Sequence, residues 1–201
     1  MTVNNIEALC AKARAEIQSL RPYQPGKPID ELAREFGLNA SDIVKLASNE
    51  NPIGPSKKAI AAMEAEVREM TRYPDGNGFE LKQTLCEKLS KDTVLVKPEN
   101  ITLGNGSSDI LDFIVKCFVA KNDEVVFSQH AFAIYGLVTK IQGGECKVVP
   151  AKNYGHDLDA MAAAISDKTR LVFVTNPNNP TGTWLTQTEV AAFMAKVPSD
   201  V

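Results

Sequence analysis

Apolar positions return along this chain in two different rhythms. From Ile6 through Leu9, Cys10, Ala13 and Ile17 to Leu20 they recur at intervals of three and four, one face of an α-helix. Arg21-Pro22 predicts its end, because a proline disfavours the α conformation of the residue before it. Tyr23 to Pro28 is a stiff Pro/Gly segment. Asp30 can cap a short helix that runs to Phe36 and stops at Gly37. Ile43 to Ala47 alternates weakly, which predicts a short strand, and Ser48 to Ser56 is too polar and proline-rich for either element. Ile60, Met63, Val67 and Met70 form one stripe, predicting an amphipathic helix over Lys57 to Met70. Arg72 to Gly78 is a turn cluster, and Leu81, Leu85, Cys86 and Leu89 mark another helix.

From there the rhythm changes to short apolar runs alternating with helical spacing. The pattern predicts a strand at Ile101 to Leu103, a loop at Gly104 to Asp109 and a helix at Ile110 to Ala120. A strand at Val125 to Ser128, a helix at Ala131 to Gln142 and a strand at Cys146 to Val149 follow. Next come a helix at Leu158 to Ile165 and a continuous apolar strand at Leu171 to Thr175. Thr186 and Glu189 then make a capping box before Val190, Phe193 and Met194. Such alternation argues for an α/β fold, a mostly parallel sheet with flanking helices. The first hundred or so residues read instead as an N-terminal helical arm and helices leading into the sheet.

Composition narrows the function classes. The 201 residues are 44% hydrophobic and carry 25 acidic against 22 basic side chains, a formal charge of −3. That is ordinary globular composition, with no bulk attraction for nucleic acid or an anionic membrane. The N-terminus lacks the apolar stretch of a signal peptide, and no apolar run reaches the roughly 18 residues of a membrane span. The four cysteines, Cys10, Cys86, Cys117 and Cys146, form no C-x-x-C pair and read as buried reduced thiols of a cytoplasmic protein. His130 and His156 have no ligand-like spacing, so no metal site is expected.

Several polar segments carry candidate chemistry. Gly104 to Asp109 (GNGSSD) joins a strand to a helix, with glycines for a tight turn and serine hydroxyls beside free helix N–H groups. That is the composition of a phosphate cradle; the plainer reading is that Ser108 or Asp109 merely caps the helix. The loop lacks the third glycine of a dinucleotide fingerprint and the Lys-Ser/Thr ending of a P-loop, which leaves a nucleotide-binding domain as a minor alternative. Asn176 to Gly182 (NPNNPTG) follows an apolar strand, at the sheet edge where ligands of parallel α/β proteins sit. Phe132, placed one turn into the helix after the Val125 to Ser128 strand, can stack on a flat ligand or simply pack in the core. Tyr73 lies in an exposed turn, and Asn49, Glu50 and Asn51 sit in a Pro/Gly loop where Asx turns are equally expected.

Taken in order, KLASNENPIGPS (Lys45 to Ser56), RYPDGNG, GNGSSD and NPNNPTG resemble the fold-type I aminotransferases that use pyridoxal 5′-phosphate. With Arg21 to Pro28 (RPYQPGKP) the string is similar to the histidinol-phosphate aminotransferases in particular. The resemblance runs from about Leu20 to the C-terminus. It implies that Gly106, Ser107 and Ser108 hold the cofactor phosphate, that Phe132 stacks on its ring and that Asn179 bonds its phenolic oxygen. It implies that Tyr73 reaches the cofactor phosphate of a neighbouring subunit in a homodimer, and that Tyr23 and Asn51 line the substrate pocket. Phe132 stands where the family often has tyrosine. On this reading residues 1–56 are an N-terminal arm and small-domain segment, and 57–201 part of the cofactor-binding large domain.

The activity implied is amino transfer between L-histidinol phosphate and 2-oxoglutarate, giving imidazole-acetol phosphate and glutamate, in histidine biosynthesis. Alternatives are an aromatic aminotransferase or amino-acid-phosphate decarboxylase of the same group, or a non-catalytic fragment. In the family the Schiff-base lysine and the aspartate that pairs the pyridine nitrogen lie downstream of NPTG. No lysine here matches that motif, so the chain is expected to be the N-terminal portion of such an enzyme and inactive alone.

Overall fold

The computed structural model describes residues 8, 10–23, 26–91 and 94–201. Contacts divide the chain into two units, Met1–Tyr23 with Gly104–Val201, and Gln24–Leu103.

In the first unit, three parallel strands form the sheet: β1 (Glu124–Ser128), β2 (Glu145–Val149) and β3 (Thr169–Phe173). They lie in the order β2-β1-β3, so β1 is the centre, with Val125 opposite Cys146 on one side and Leu171 on the other. Every residue of β1 is buried. Side chains alternate between two helix layers, as the pleat requires. Val125 and Phe127 pack with Val115, Val119, Tyr135 and Val138, on the side of α5 (Ser107–Phe118) and α6 (Ile134–Gln142). Val126 packs with Val149, Met161 and Phe193, on the side of α7 (Leu158–Ala163) and α8 (Gln187–Met194). The arm includes the short helix α1 (Ala15–Gln18), whose neighbour Arg14 donates from Nη2 to the Ile141 carbonyl at 2.8 Å.

The second unit holds α2 (Ile29–Phe36), α3 (Lys57–Glu66, continued by a 3-10 turn over Val67–Glu69) and α4 (Phe79–Leu89). Gly37 ends α2 at φ 64°, a left-handed conformation that favours glycine. Asp75 closes the turn before α4: its carboxylate accepts from the Asn77 and Phe79 amides at 2.9 and 2.8 Å.

The parallel α/β sheet with flanking helices is as expected, and the departures are local. The helix predicted from Ile6 lies outside the described residues up to residue 7 and at residue 9. Further on it is interrupted, because Arg14 (φ −56°, ψ 144°) is extended and cannot continue the ladder. Ile43–Ala47 and Ile101–Leu103 form no strands. Ile43 and Lys45 are half-buried between exposed neighbours, so the alternation is present without a strand to pair with. β3 begins two residues earlier than predicted, since Thr169 already pairs with Glu124. Phe132 precedes α6 rather than lying in it, and α5 starts at Ser107, which puts both serines in its first turn. Cys86 is buried and Cys146 half-buried, but Cys10 and Cys117 are exposed. Cys117 follows Val115 by about 200° of helical rotation and so faces away from the core. No helix among the described residues is long and apolar enough to cross a membrane.

Candidate functional site

The carboxyl ends of parallel strands are where an α/β sheet opens to ligands, because the loops there diverge to helices on opposite faces. In the first unit a cleft of about 360 Å³ opens there, lined by Ser107, Ile110, Leu111, Phe132, Tyr135, Thr175 and Asn179. Three segments remote in sequence contribute: the start of α5, the turn between β1 and α6, and the loop after β3. The volume lies within the roughly 300–1,000 Å³ of small-molecule sites.

The floor at α5 is shaped by glycine. Gly104 approaches the helix so closely that a Cβ there would stand 2.9 Å from Asp109 Cβ and Ile110 Cδ1. Gly106 is the N-cap at φ 78°, ψ 175°, and a Cβ on it would meet nothing within 4 Å, so the space in front of the first turn is open. No side chain caps α5. The Asp109 carboxylate accepts instead from the Asn105 amide at 2.9 Å, which closes the preceding loop. Simple capping by Ser108 or Asp109 is therefore not what these residues do. The first-turn amides keep their donors, the helix presents its positive end, and the Ser107 hydroxyl stands beside them.

The loop after β3 is held by its own asparagines. Asn176 accepts from the Leu185 amide at 2.9 Å and donates to the Leu185 carbonyl at 3.0 Å, pinning the base. Asn178 is 4% exposed and donates from Nδ2 to the His130 carbonyl and to Thr181 Oγ1, each at 2.7 Å. Gly182, at φ 71°, turns the chain so that its amide reaches the Asn178 carbonyl at 2.8 Å. Asn179 is thereby carried to the cleft on a braced loop.

Phe132 and Tyr135 make the aromatic wall. Their rings meet edge to face, centroids 6.0 Å apart at 90°. Tyr135 and Thr175 were not among the residues that sequence reasoning singled out. The available signals were the three-residue spacing of Phe132 and Tyr135 and the place of Thr175 directly before NPNNPTG.

Of the other expected site residues, Ser108 lies exposed in the first turn of α5, and Tyr23, at the end of the arm, is about half exposed. Asn51 and Tyr73 belong to the second unit. Asn51 makes an Asx turn, accepting from the Ile53 amide and donating to the Gly54 carbonyl, both at 3.0 Å. Tyr73 is fully exposed. A second cleft of the first unit, about 430 Å³, lies against α7 and α8. Its lining mixes Lys152 and Lys196 with Asp157, Asp159 and Glu189, so no one ligand charge is favoured.

A donor-bearing helix start, an aromatic ring and a braced asparagine suit a planar ring that carries a phosphate. Residues 41–199 match the family model described as aminotransferase class I and II. A curated relative from Pseudomonas fluorescens, named histidinol-phosphate aminotransferase 2, is 53% identical over 95% of this chain and 50% of its own. One from Methylobacillus flagellatus, named histidinol-phosphate aminotransferase, is 52% identical over 94% of this chain and 50% of its own. The crystal structure of histidinol-phosphate aminotransferase from Sinorhizobium meliloti in complex with pyridoxal-5′-phosphate superimposes with a TM-score of 0.78 at 28% identity, covering 94% of this chain and 48% of that one. Alanine aminotransferase from Pyrococcus furiosus shares the fold, at a TM-score of 0.74 and 20% identity over 92% of this chain and 49% of that one. The chain spans about half the length of the curated relatives it matches.

Proposed function

This chain belongs to the aminotransferase class I and II family, and from that premise we propose that the whole protein moves an amino group between L-histidinol phosphate and 2-oxoglutarate, with pyridoxal 5′-phosphate as cofactor. The names of the curated relatives, at 50–53% identity, support the histidinol-phosphate half of that reading. The observation that carries the cofactor assignment is the convergence of Ser107, Phe132 and Asn179 on one cleft.

The residues present fit that cofactor. The open space before Gly106 and the unpaired first-turn amides suit a phosphate dianion, with the Ser107 and Ser108 hydroxyls as further donors. Phe132 offers a ring face and no hydroxyl. Asn179 brings an amide to the same cleft, where it would donate to a phenolate oxygen and orient the ring. When bound, the cofactor supplies an electron sink for charge developing at the substrate α-carbon. The chain's part is to hold the ring flat, keep its phosphate anchored and shield one face from water. Tyr23 and Asn51 are assigned to the substrate pocket and Tyr73 to the cofactor phosphate of a second subunit, which makes the working form a homodimer. The setting is the cytoplasm.

Steady-state turnover of the whole protein tests the substrate. Imidazole-acetol phosphate with glutamate should be used with the higher kcat/KM. A higher value with phenylpyruvate would assign the protein to aromatic amino acids instead.

A further inference from the structure

Tyr135 occupies an unusual position for a core tyrosine. It is 7% exposed, yet it lines the cleft. Its ring stacks on Phe173 at 4.3 Å and 9°, and meets Phe132 edge to face at 6.0 Å and 90°. Its hydroxyl lies 2.5 Å from Thr175 Oγ1. Thr175 is held from a second direction, because His156 Nε2 lies 2.9 Å from its carbonyl. A carbonyl only accepts, so Nε2 carries the proton and donates. One buried side chain therefore contacts both the ring and the hydroxyl that form one wall of the cleft. Both contacts are made between the chain's own residues, and a wall braced in this way costs less to order when a ring binds.

We infer that Tyr135 is a positioning residue for the planar cofactor, acting through Phe132 and Thr175 rather than by touching the phosphate. This rests on the cofactor reading above. Its ring fixes the tilt of Phe132. Its hydroxyl engages Oγ1 of Thr175, which also lines the cleft. Ser107 and the α5 amides are separate from this assembly, so phosphate anchoring should not depend on it.

The test uses the 201-residue chain and pyridoxamine 5′-phosphate, which has no aldehyde to react with surface lysines, followed by calorimetric titration. Tyr135→Phe keeps the ring and removes the hydroxyl. It should weaken binding about five-fold, as expected for one hydrogen bond worth about 1 kcal/mol, with inorganic phosphate affinity unchanged. Tyr135→Leu should weaken it at least ten-fold. In a double-mutant cycle with Phe132→Leu the losses should fall well short of additive, because both changes remove the same wall. Additive losses, or an equal loss of inorganic phosphate affinity, would overturn the inference in favour of a general packing role. A ligand-free readout separates this from failure of the cofactor reading. The ring-proton shifts of isotopically labelled Phe132 should move in Tyr135→Leu and stay near wild type in Tyr135→Phe. If the wild-type chain binds no pyridoxamine 5′-phosphate, the cofactor reading falls; the positioning of Phe132 then stands or falls on those shifts, and unchanged shifts in Tyr135→Leu would refute it.

Discussion

Asn178 Nδ2 donates to the His130 carbonyl at 2.7 Å, tying the loop after β3 to the loop after β1 across the carboxyl edge of the sheet. Those are the loops that bring Asn179 and Phe132 to the cleft. Asn178→Ala removes a buried donor and leaves the His130 carbonyl and Thr181 hydroxyl without it, a loss of about 1–3 kcal/mol. Chemical denaturation should register that loss. Pyridoxamine 5′-phosphate affinity should fall with it, because Asn179 loses its brace.

Phe132→Leu keeps an apolar side chain and removes the flat face. Edge and stacked aromatic contacts are worth about 0.5–1.5 kcal/mol beyond area, so the affinity for pyridoxamine 5′-phosphate should fall by roughly two- to twelve-fold. Isothermal titration against inorganic phosphate should give an unchanged affinity. A parallel loss of phosphate affinity would mean that the ring stacks on nothing.

Glu124 is buried at the start of the central strand, where it accepts from Ser166 Oγ at 2.7 Å and pairs with Lys147 Nζ at 3.0 Å. The Ser166 hydroxyl, and after it the Lys147 ammonium, hold its carboxyl below the usual glutamate range against the opposing effect of burial. A folded value below the unfolded one, about 4.3, means that this stabilisation is complete above the unfolded value. It is lost as pH falls through the folded one. Thermal midpoints between neutral pH and strong acid should decline for the wild type, and the acid limb should flatten in Glu124→Gln.

Asp75 provides a similar test in the second unit. The Phe79 amide, then the Asn77 amide, lower its carboxyl. Asp75→Ala removes both acceptors and should fray the first turn of α4, read as faster amide exchange at Phe79 and Glu80. Asp75→Asn should retain part of the protection, since its amide oxygen can still accept.

The strand–helix alternation from Val125 onward was legible because parallel strands read as short apolar runs between longer stretches of helical spacing, whereas the equally short run Ile101–Leu103 forms no strand. The strand expected at Ile43–Ala47 was not realised, since alternation records burial and says nothing of a partner ladder. The same limit hid Tyr135 and Thr175. Their importance comes from a contact across 40 residues, which no local pattern reports. Ser107, Phe132 and Asn179 were legible through the resemblance of their motifs to a family, and the cleft brings all three together. Asn178, beside Asn179 in the same motif, carries no such signal and proves to be the brace.

Among the described residues, no lysine lines the cleft. The 201-residue chain alone should accordingly bind cofactor without transferring amino groups from glutamate, as a coupled 2-oxoglutarate assay would report. Sustained turnover would place the covalent chemistry within these residues.

Titration of the chain with pyridoxamine 5′-phosphate tests the central claim most directly. Saturable binding at one site per chain, competed by inorganic phosphate and weakened by Asn179→Ala, is the predicted result. Absence of binding, or binding indifferent to both phosphate and Asn179, would contradict the assignment of this cleft.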